Sequence, residues 1–282
     1  MKRIALLPRI TALLALGGCV SRSGAPSPAA CALPPDYIPA GAYNAAAEAN
    51  LAFSPFGRVE QGWAIYAPAI ASTVSSACPA QSPAFARAIA RWQARSGLAP
   101  HGGVDPSTFA AMKASWERRR PFVRVRAAGN CPDPPDEASL AEVPAADSYG
   151  GSTVRLRPGT LKALEAMTAA ARREDPAIAA EPTQLTVVSG FRSPAYDAAR
   201  CAKQNNCDGI VRAACSSHRT GLAVDLALGP APGFMADSSA ETNRLFQSRT
   251  PAYRWLLTNA ARFGFVNYAF EPWHWEWTGE PP

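Results

Sequence analysis

The chain has 282 residues, of which 48% are apolar and 18% charged; a disordered chain would need fewer apolar residues and a larger net charge. At roughly 100–200 residues per domain, this length holds one large domain or two smaller ones. The formal charge is +6, and without Lys2, Arg3 and Arg9 of a removable leader it falls to about +3, too weak a field to argue for a nucleic-acid partner. Twenty-seven prolines against 20 glycines predict stretches of stiff linker. No apolar run reaches the ~18 residues that a spanning helix needs.

Met1 to Arg9 is a basic segment and Ile10 to Leu16 a short apolar one, the order found in export signals. Leu16-Gly17-Gly18-Cys19 follows directly, and small residues running into a cysteine resemble the lipobox of bacterial lipoproteins. The resemblance implies a signal peptide over 1–18 and acylation of Cys19 as the new N-terminus. The alternative is an ordinary cleaved signal with an incidental cysteine. Val20 after the cysteine resembles signals retained at the outer membrane. That implies a lipid anchor at the periplasmic face of the bacterial outer membrane, with a free periplasmic protein as the other option.

Residues 19–60 are rich in Ala, Pro, Ser and Gly without clear period and predict a tether. Helical signals follow over 61–118. Ser82-Pro83 starts one helix, with Phe85, Ile89 and Trp92 on one stripe and Gly97 as its stop; Asp105-Pro106 starts another, with Phe109, Met112 and Trp116 on its stripe. The passage FARAIARWQARSGLAPHGGVDPSTFAAMKASW resembles the small helical peptidoglycan-binding module, and a plain helical bundle is the alternative. His101, in the turn, is expected to be a solvated loop residue. Residues 119–149 predict a linker, after the charge cluster Glu117–Arg120.

From about Gly150 the pattern changes. Pro158 opens a helix carrying Leu161, Leu164 and Met167. Leu185–Val188 and Gly221–Leu228 predict strands. Thr250-Pro251 caps a helix running to Phe263, and Phe265–Trp277 predicts a strand bent at Pro272. Helices among short, non-repeating strands predict an α+β fold: a C-terminal antiparallel-sheet domain with flanking helices over 150–282, preceded by a small all-α module.

Without Cys19, six of the seven cysteines remain, which in an oxidising compartment predict up to three disulfides with 15 possible pairings. Cys201 and Cys207 are close enough to close a small loop and are the first candidate pair. A structural zinc knot of Cys201, Cys207, Cys215 and His218 is the alternative.

Three segments carry chemistry: Ser189-Gly-Phe-Arg-Ser193, Ser216-Ser-His-Arg-Thr-Gly-Leu-Ala-Val-Asp225, and Glu271-Pro-Trp-His-Trp-Glu-Trp277. Two of the chain's three histidines lie in them. Alternation places Asp225 on one face of its strand with Ala223, against Leu222, Val224 and Leu226 on the other. A charge inside such a strand is costly unless paired or bound to a metal. Downstream, His274 and Glu276 share one face and Trp273, Trp275 and Trp277 the other. Two imidazoles and one carboxylate suit a catalytic zinc with its fourth position open to water, beside a carboxylate that accepts the water's proton. Asp225 as ligand and Glu271 as base divide that labour, with Glu276 as the competing carboxylate.

Together, SGFRS, SxHxxGxAxD and ExWH resemble the zinc D-alanyl-D-alanine carboxypeptidases of the VanY type, in the superfamily of lysostaphin-like endopeptidases and the hedgehog domain. Over about 150–278, the resemblance implies one Zn2+ per chain held by His218, Asp225 and His274, with Glu271 as catalytic base. It makes Arg192 the residue that binds substrate or the oxyanion, Ser216 a substrate contact and Trp273 a pocket wall. Asp197, where relatives often carry glutamine, departs from the pattern. The resemblance implies hydrolysis of peptidoglycan stem peptides, chiefly removal of terminal D-alanine. Endopeptidase or L,D-carboxypeptidase cleavage is one alternative; a non-enzymatic wall-binding lipoprotein is another.

Overall fold

The computed structural model describes residues 26–129, 131–203, 207 and 215–282. The leader and the expected acylation site Cys19 lie outside the described residues. Among the described residues, no helix is long and apolar enough to cross a membrane.

Helix α1 (Ile38–Asn50) lies inside the stretch expected to be a tether, which is a correction to that expectation. Alanine has the highest helix propensity, so AYNAAAEA forms a helix without a large apolar stripe to announce it. The helix is fixed by Asn44, fully buried, whose Nδ2 donates to the Gly102 carbonyl (3.0 Å) and whose Oδ1 accepts from Val104 N–H (2.8 Å). A Cys31–Cys78 disulfide ties the preceding segment to the same body. Helices α2 (Ala67–Thr73), α3 (Pro83–Arg95) and α4 (Pro106–Glu117) follow. Ser82 Oγ accepts from Phe85 N–H at 3.2 Å and Asp105 Oδ1 from Thr108 N–H at 2.7 Å, each cap satisfying an amide that the first helical turn leaves unpaired. Their stripes bury Phe85, Ile89, Phe109 and Met112 around Trp63 and Tyr66. His101 stays about half exposed beside Gln93 and Asp105.

The segment 119–149, expected to be a linker, holds helix α5 (Pro121–Ala127) and a two-residue ladder pairing Ala141–Glu142 with Arg155–Leu156. It lies against the C-terminal domain, because Arg120 is buried there on Glu276.

The C-terminal region is α+β. Helix α6 (Pro158–Glu174) buries Leu164, Met167 and Ala171. A four-stranded antiparallel sheet is built from β1 (Val187–Ser189), β2 (Ala223–Leu226), β3 (Phe265–Asn267) and β4 (His274–Trp277), in the order β1-β2-β4-β3. Helices α7 (Pro194–Lys203), α8 (Glu241–Ser248) and α9 (Pro251–Asn259) complete it. Phe265–Trp277 is a hairpin rather than one bent strand. Asn267 explains the difference: its Nδ2 donates to the carbonyls of Glu271 (3.3 Å) and His274 (2.8 Å), folding the Tyr268–Trp273 loop back. On one face of the sheet, Val224 and Trp275 pack with Leu164, Met167 and Phe265 into the core.

The helical half shares its core with the sheet half, since Ala269 and Phe270 of the hairpin loop join the Trp63–Phe109 cluster. Arg244 of α8, 1% exposed, fixes this junction. It donates to Glu60 Oε1 (2.7 Å), to Tyr66 Oη (2.6 Å) and to the Phe270 carbonyl (2.7 Å), while Tyr66 donates to Glu60 Oε2 (2.6 Å). A buried guanidinium is tolerable here because its charge is matched and its donors are taken.

Candidate active site

The sheet brings the second and third sequence segments together. The antiparallel register sets Asp225 directly opposite His274, and Ala223 opposite Glu276. These residues share the sheet face away from the core, while Val224 and Trp275 take the other. His218 arrives from a single turn of 3-10 helix, Ser217–Thr220. Ser216 Oγ caps the turn by accepting from His218 N–H at 3.1 Å, and Gly221, in the left-handed region at φ 68°, ends it.

His218 Nε2 lies 3.2 Å from Asp225 Oδ2, and His274 Nδ1 lies 2.9 Å from Asp225 Oδ1. One ligand-type atom from each of the three residues falls within 4.8 Å of the others, and all three side chains are buried. Each imidazole is anchored through its other nitrogen. His218 Nδ1 donates to the Gly190 carbonyl at 2.7 Å, which leaves Nε2 as the free donor atom. His274 Nε2 faces Ser217 Oγ at 3.1 Å and Glu276 Oε1 at 3.5 Å. Gly190 is required there: a Cβ would stand 2.6 Å from the Arg155 carbonyl oxygen and 2.7 Å from a Val154 methyl.

The donor set fits a zinc ion. A tetrahedron with ligand bonds of ~2.0–2.1 Å spaces its donor atoms roughly 3.3 Å apart, and the two imidazole–carboxylate spacings, 3.2 and 2.9 Å, lie near that value. Two imidazoles plus one carboxylate, with a side left open, is the composition of a catalytic rather than a structural zinc site.

Charge is concentrated in this pocket. Burial would raise the Asp225 carboxyl, but His218 and His274 outweigh it and hold it well below the usual carboxylate range. Burial, then the Arg192 cation, lowers His218. Burial also acts to lower His274, yet the hydrogen bonds it donates to the Asp225 and Glu276 carboxylates carry it up to about 9. Glu271 behaves oppositely to Asp225: burial dominates and lifts it to about 7, the range suited to a general base near neutral pH. Its backbone is fixed by His274 N–H, which donates to the Glu271 carbonyl at 2.9 Å.

His218, Asp225, His274 and Glu271 line one cleft of ≈ 460 Å³ together with Arg192, Ser216, Trp273 and, from α5, Phe122 and Val123. That volume is within the usual span for small-ligand sites. Arg192 is held in a fixed pose. Its Nε donates to Asp197 Oδ1 (3.1 Å), Nη1 to Ser189 Oγ (3.2 Å) and Nη2 to Ser216 Oγ (3.2 Å). Ser216 thus serves both as cap of the His218 turn and as a rest for Arg192. Trp273 is buried and lines the cleft.

The cysteines pair as Cys31–Cys78, Cys131–Cys215 and Cys201–Cys207. These bonds overturn the alternative of a thiolate zinc knot, because Cys201, Cys207 and Cys215 have no free sulfur and His218 turns toward Asp225. The Cys131–Cys215 bond anchors the residue immediately before Ser216. Glu276, the competing carboxylate, is 2% exposed. Burial opposes its ionisation, but Arg120 and His274 prevail and bring it down to about 2, too weakly basic to abstract a proton near neutral pH.

Arg120, Ser217 and Tyr268 escape sequence reasoning. A carboxylate inside the apolar run HWEW signals that a cation must meet it; nothing in the local sequence says that the cation comes from 156 residues upstream. No curated protein matches the chain. Residues 153–280 match the model of the family described as VanY: D-alanyl-D-alanine carboxypeptidase, and with the geometry above this match supports a carboxypeptidase-like peptidase of peptidoglycan in the C-terminal part of the chain.

Proposed function

We propose that the protein is a zinc-dependent peptidase that removes the terminal D-alanine from peptidoglycan stem peptides. The observation that carries this reading is the convergence of His218, Asp225 and His274 in one cleft with the desolvated carboxyl of Glu271. When bound, zinc supplies Lewis-acid chemistry: it polarises a carbonyl and makes water a nucleophile near neutral pH. His218 through Nε2, Asp225 through its carboxylate and His274 through Nδ1 would hold the ion. Glu271 accepts the proton of the attacking water and returns it to the leaving amine. The Arg192 guanidinium, fixed by three acceptors, meets either the terminal carboxylate of the stem or the negative charge growing on the attacked carbonyl oxygen. Because that fork is already oriented, little reorganisation is needed when the charge develops.

An export signal over 1–18 and acylation at Cys19 would place this activity at the periplasmic face of the outer membrane, where its substrate lies. Three disulfides suit an oxidising compartment of that kind. The helical half would then hold the peptidase close to the wall.

The test is incubation of the purified zinc-loaded protein with defined pentapeptide and tetrapeptide stems and with crosslinked dimers, followed by mass analysis. Loss of one alanine from the pentapeptide alone is expected. Shortening of the tetrapeptide would assign an L,D-carboxypeptidase, and cleavage of the dimer an endopeptidase. Sacculus binding with no hydrolysis would favour a wall-binding protein, and hydrolysis that persists after complete zinc removal would refute the metal-dependent reading.

A further inference from the structure

We propose that Arg120, which lies outside the segment matched to the peptidase family, is a positioning residue for the metal centre and acts on His274 through Glu276. The inference rests on the zinc reading above and extends it to a part of the chain with no share in the three sequence segments.

Arg120 is buried between the two halves. Its Nε and Nη2 both donate to Glu276 Oε1, at 2.8 and 2.6 Å. The second oxygen, Oε2, accepts from Phe122 N–H at 3.2 Å. Glu276 is therefore held at both oxygens by the segment that opens α5. The oxygen gripped by Arg120 is the one that stands 3.5 Å from His274 Nε2, on the imidazole edge opposite Asp225. Arg120 also controls a second side of the ring: its guanidinium lies 4.0 Å from the centroid of Tyr268, and Tyr268 meets the His274 imidazole edge to face at 5.9 Å.

Arg120 thus fixes a carboxylate beside one nitrogen of the ligand imidazole and an aromatic ring packed T-shaped against it. A carboxylate beside the outer nitrogen of a metal-binding histidine fixes the tautomer and the ring plane, and such partners govern metal affinity. Without Arg120, Glu276 Oε1 would lose both donors that hold it, and an unmatched buried carboxylate would move toward solvent. That movement loosens the hold on His274. The segment that opens α5 then helps to position the metal centre.

The measurement is zinc affinity of the full-length chain by competition with a chelator, together with the visible absorption of the cobalt-substituted protein, which reports ligand geometry independently of turnover. Arg120→Met, which keeps an apolar stem against Tyr268, is expected to bind zinc about 10–100-fold more weakly and to show an altered cobalt spectrum. Arg120→Lys, which retains charge but not the two-pronged contact, should fall between Met and wild type, and it serves where the Met variant does not fold. Arg244→Lys perturbs the same junction and should leave zinc affinity within about twofold of wild type, since its partners Glu60, Tyr66 and Phe270 include no metal ligand and it has no contact with Glu276. Wild-type affinity in both Arg120 variants would overturn the inference while leaving the zinc reading intact. An equal loss in Arg244→Lys would overturn it as well, by showing a general loosening of the junction. A wild-type chain that binds no zinc would refute the zinc reading itself, and this inference with it.

Discussion

Glu271→Gln separates catalysis from stability in opposite directions. In the metal-free protein, burial lifts the Glu271 carboxyl from 4.5 to about 7. The folded state therefore holds this proton more tightly than the unfolded chain does. Stability falls as pH rises from 4.5 towards 7, and the cost is fully present above 7. At 1.36 kcal/mol per pH unit, that cost is at most about 3 kcal/mol. Glutamine carries no charge to desolvate but still buries an amide, so the expected gain at pH 8 is about 1–3 kcal/mol, shrinking to nothing near pH 4.5. Denaturant unfolding in the presence of chelator, at pH 4.5 and at pH 8, measures it. The same variant, loaded with zinc, should hydrolyse stem peptides about 10²–10⁴-fold more slowly. A stability change that does not depend on pH would refute the claim that the cleft desolvates this carboxylate. A loss of activity under tenfold would move the base to another group.

Because His274 sits at about 9 in the metal-free protein, zinc must displace a proton from it. Zinc affinity should accordingly rise about tenfold per pH unit below pH 9, and calorimetry in buffers of different ionisation enthalpy should show that proton released; a pH-independent affinity contradicts the expectation. Replacing both Cys131 and Cys215 by serine should lower stability by about 2–5 kcal/mol and reduce activity further, since the bond holds the residue next to Ser216. Thermal unfolding beside stem-peptide turnover checks both effects. Gly190→Ala should cost about 1–3 kcal/mol by overpacking against Arg155 and Val154, and it should weaken zinc binding by shifting the carbonyl that orients His218.

The grouping of His218, Asp225 and His274 was legible because its chemistry sits in short, ordered segments. His218, Asp225, His274 and Glu271 stand in fixed local patterns, and alternation alone sets Asp225 and His274 on definite strand faces. Helices opened by Ser82-Pro83, Asp105-Pro106 and Thr250-Pro251 were legible for the same reason, since cap and proline act within one turn. Two kinds of feature were hidden. Helix α1 packs through Gly41, Asn44 and Ala47, so no large apolar stripe marks it and its composition resembles linker. The long-range pairs Arg120–Glu276, Arg244–Glu60 and Cys131–Cys215 join positions 156, 184 and 84 residues apart. Their partners are chosen by how the two halves dock, which local spacing does not encode. The hairpin at Phe265–Trp277 belongs with these, because the fold back depends on one side chain, Asn267, reaching across to the carbonyls of the returning strand.

Anomalous diffraction at the zinc edge, from crystals of the full-length protein grown with stoichiometric zinc, addresses the central claim most directly. One peak is expected within bonding distance of His218 Nε2, the Asp225 carboxylate and His274 Nδ1, with Glu271 close by but outside the coordination sphere. A peak elsewhere, or one bound by Glu271 in place of Asp225, would contradict the account.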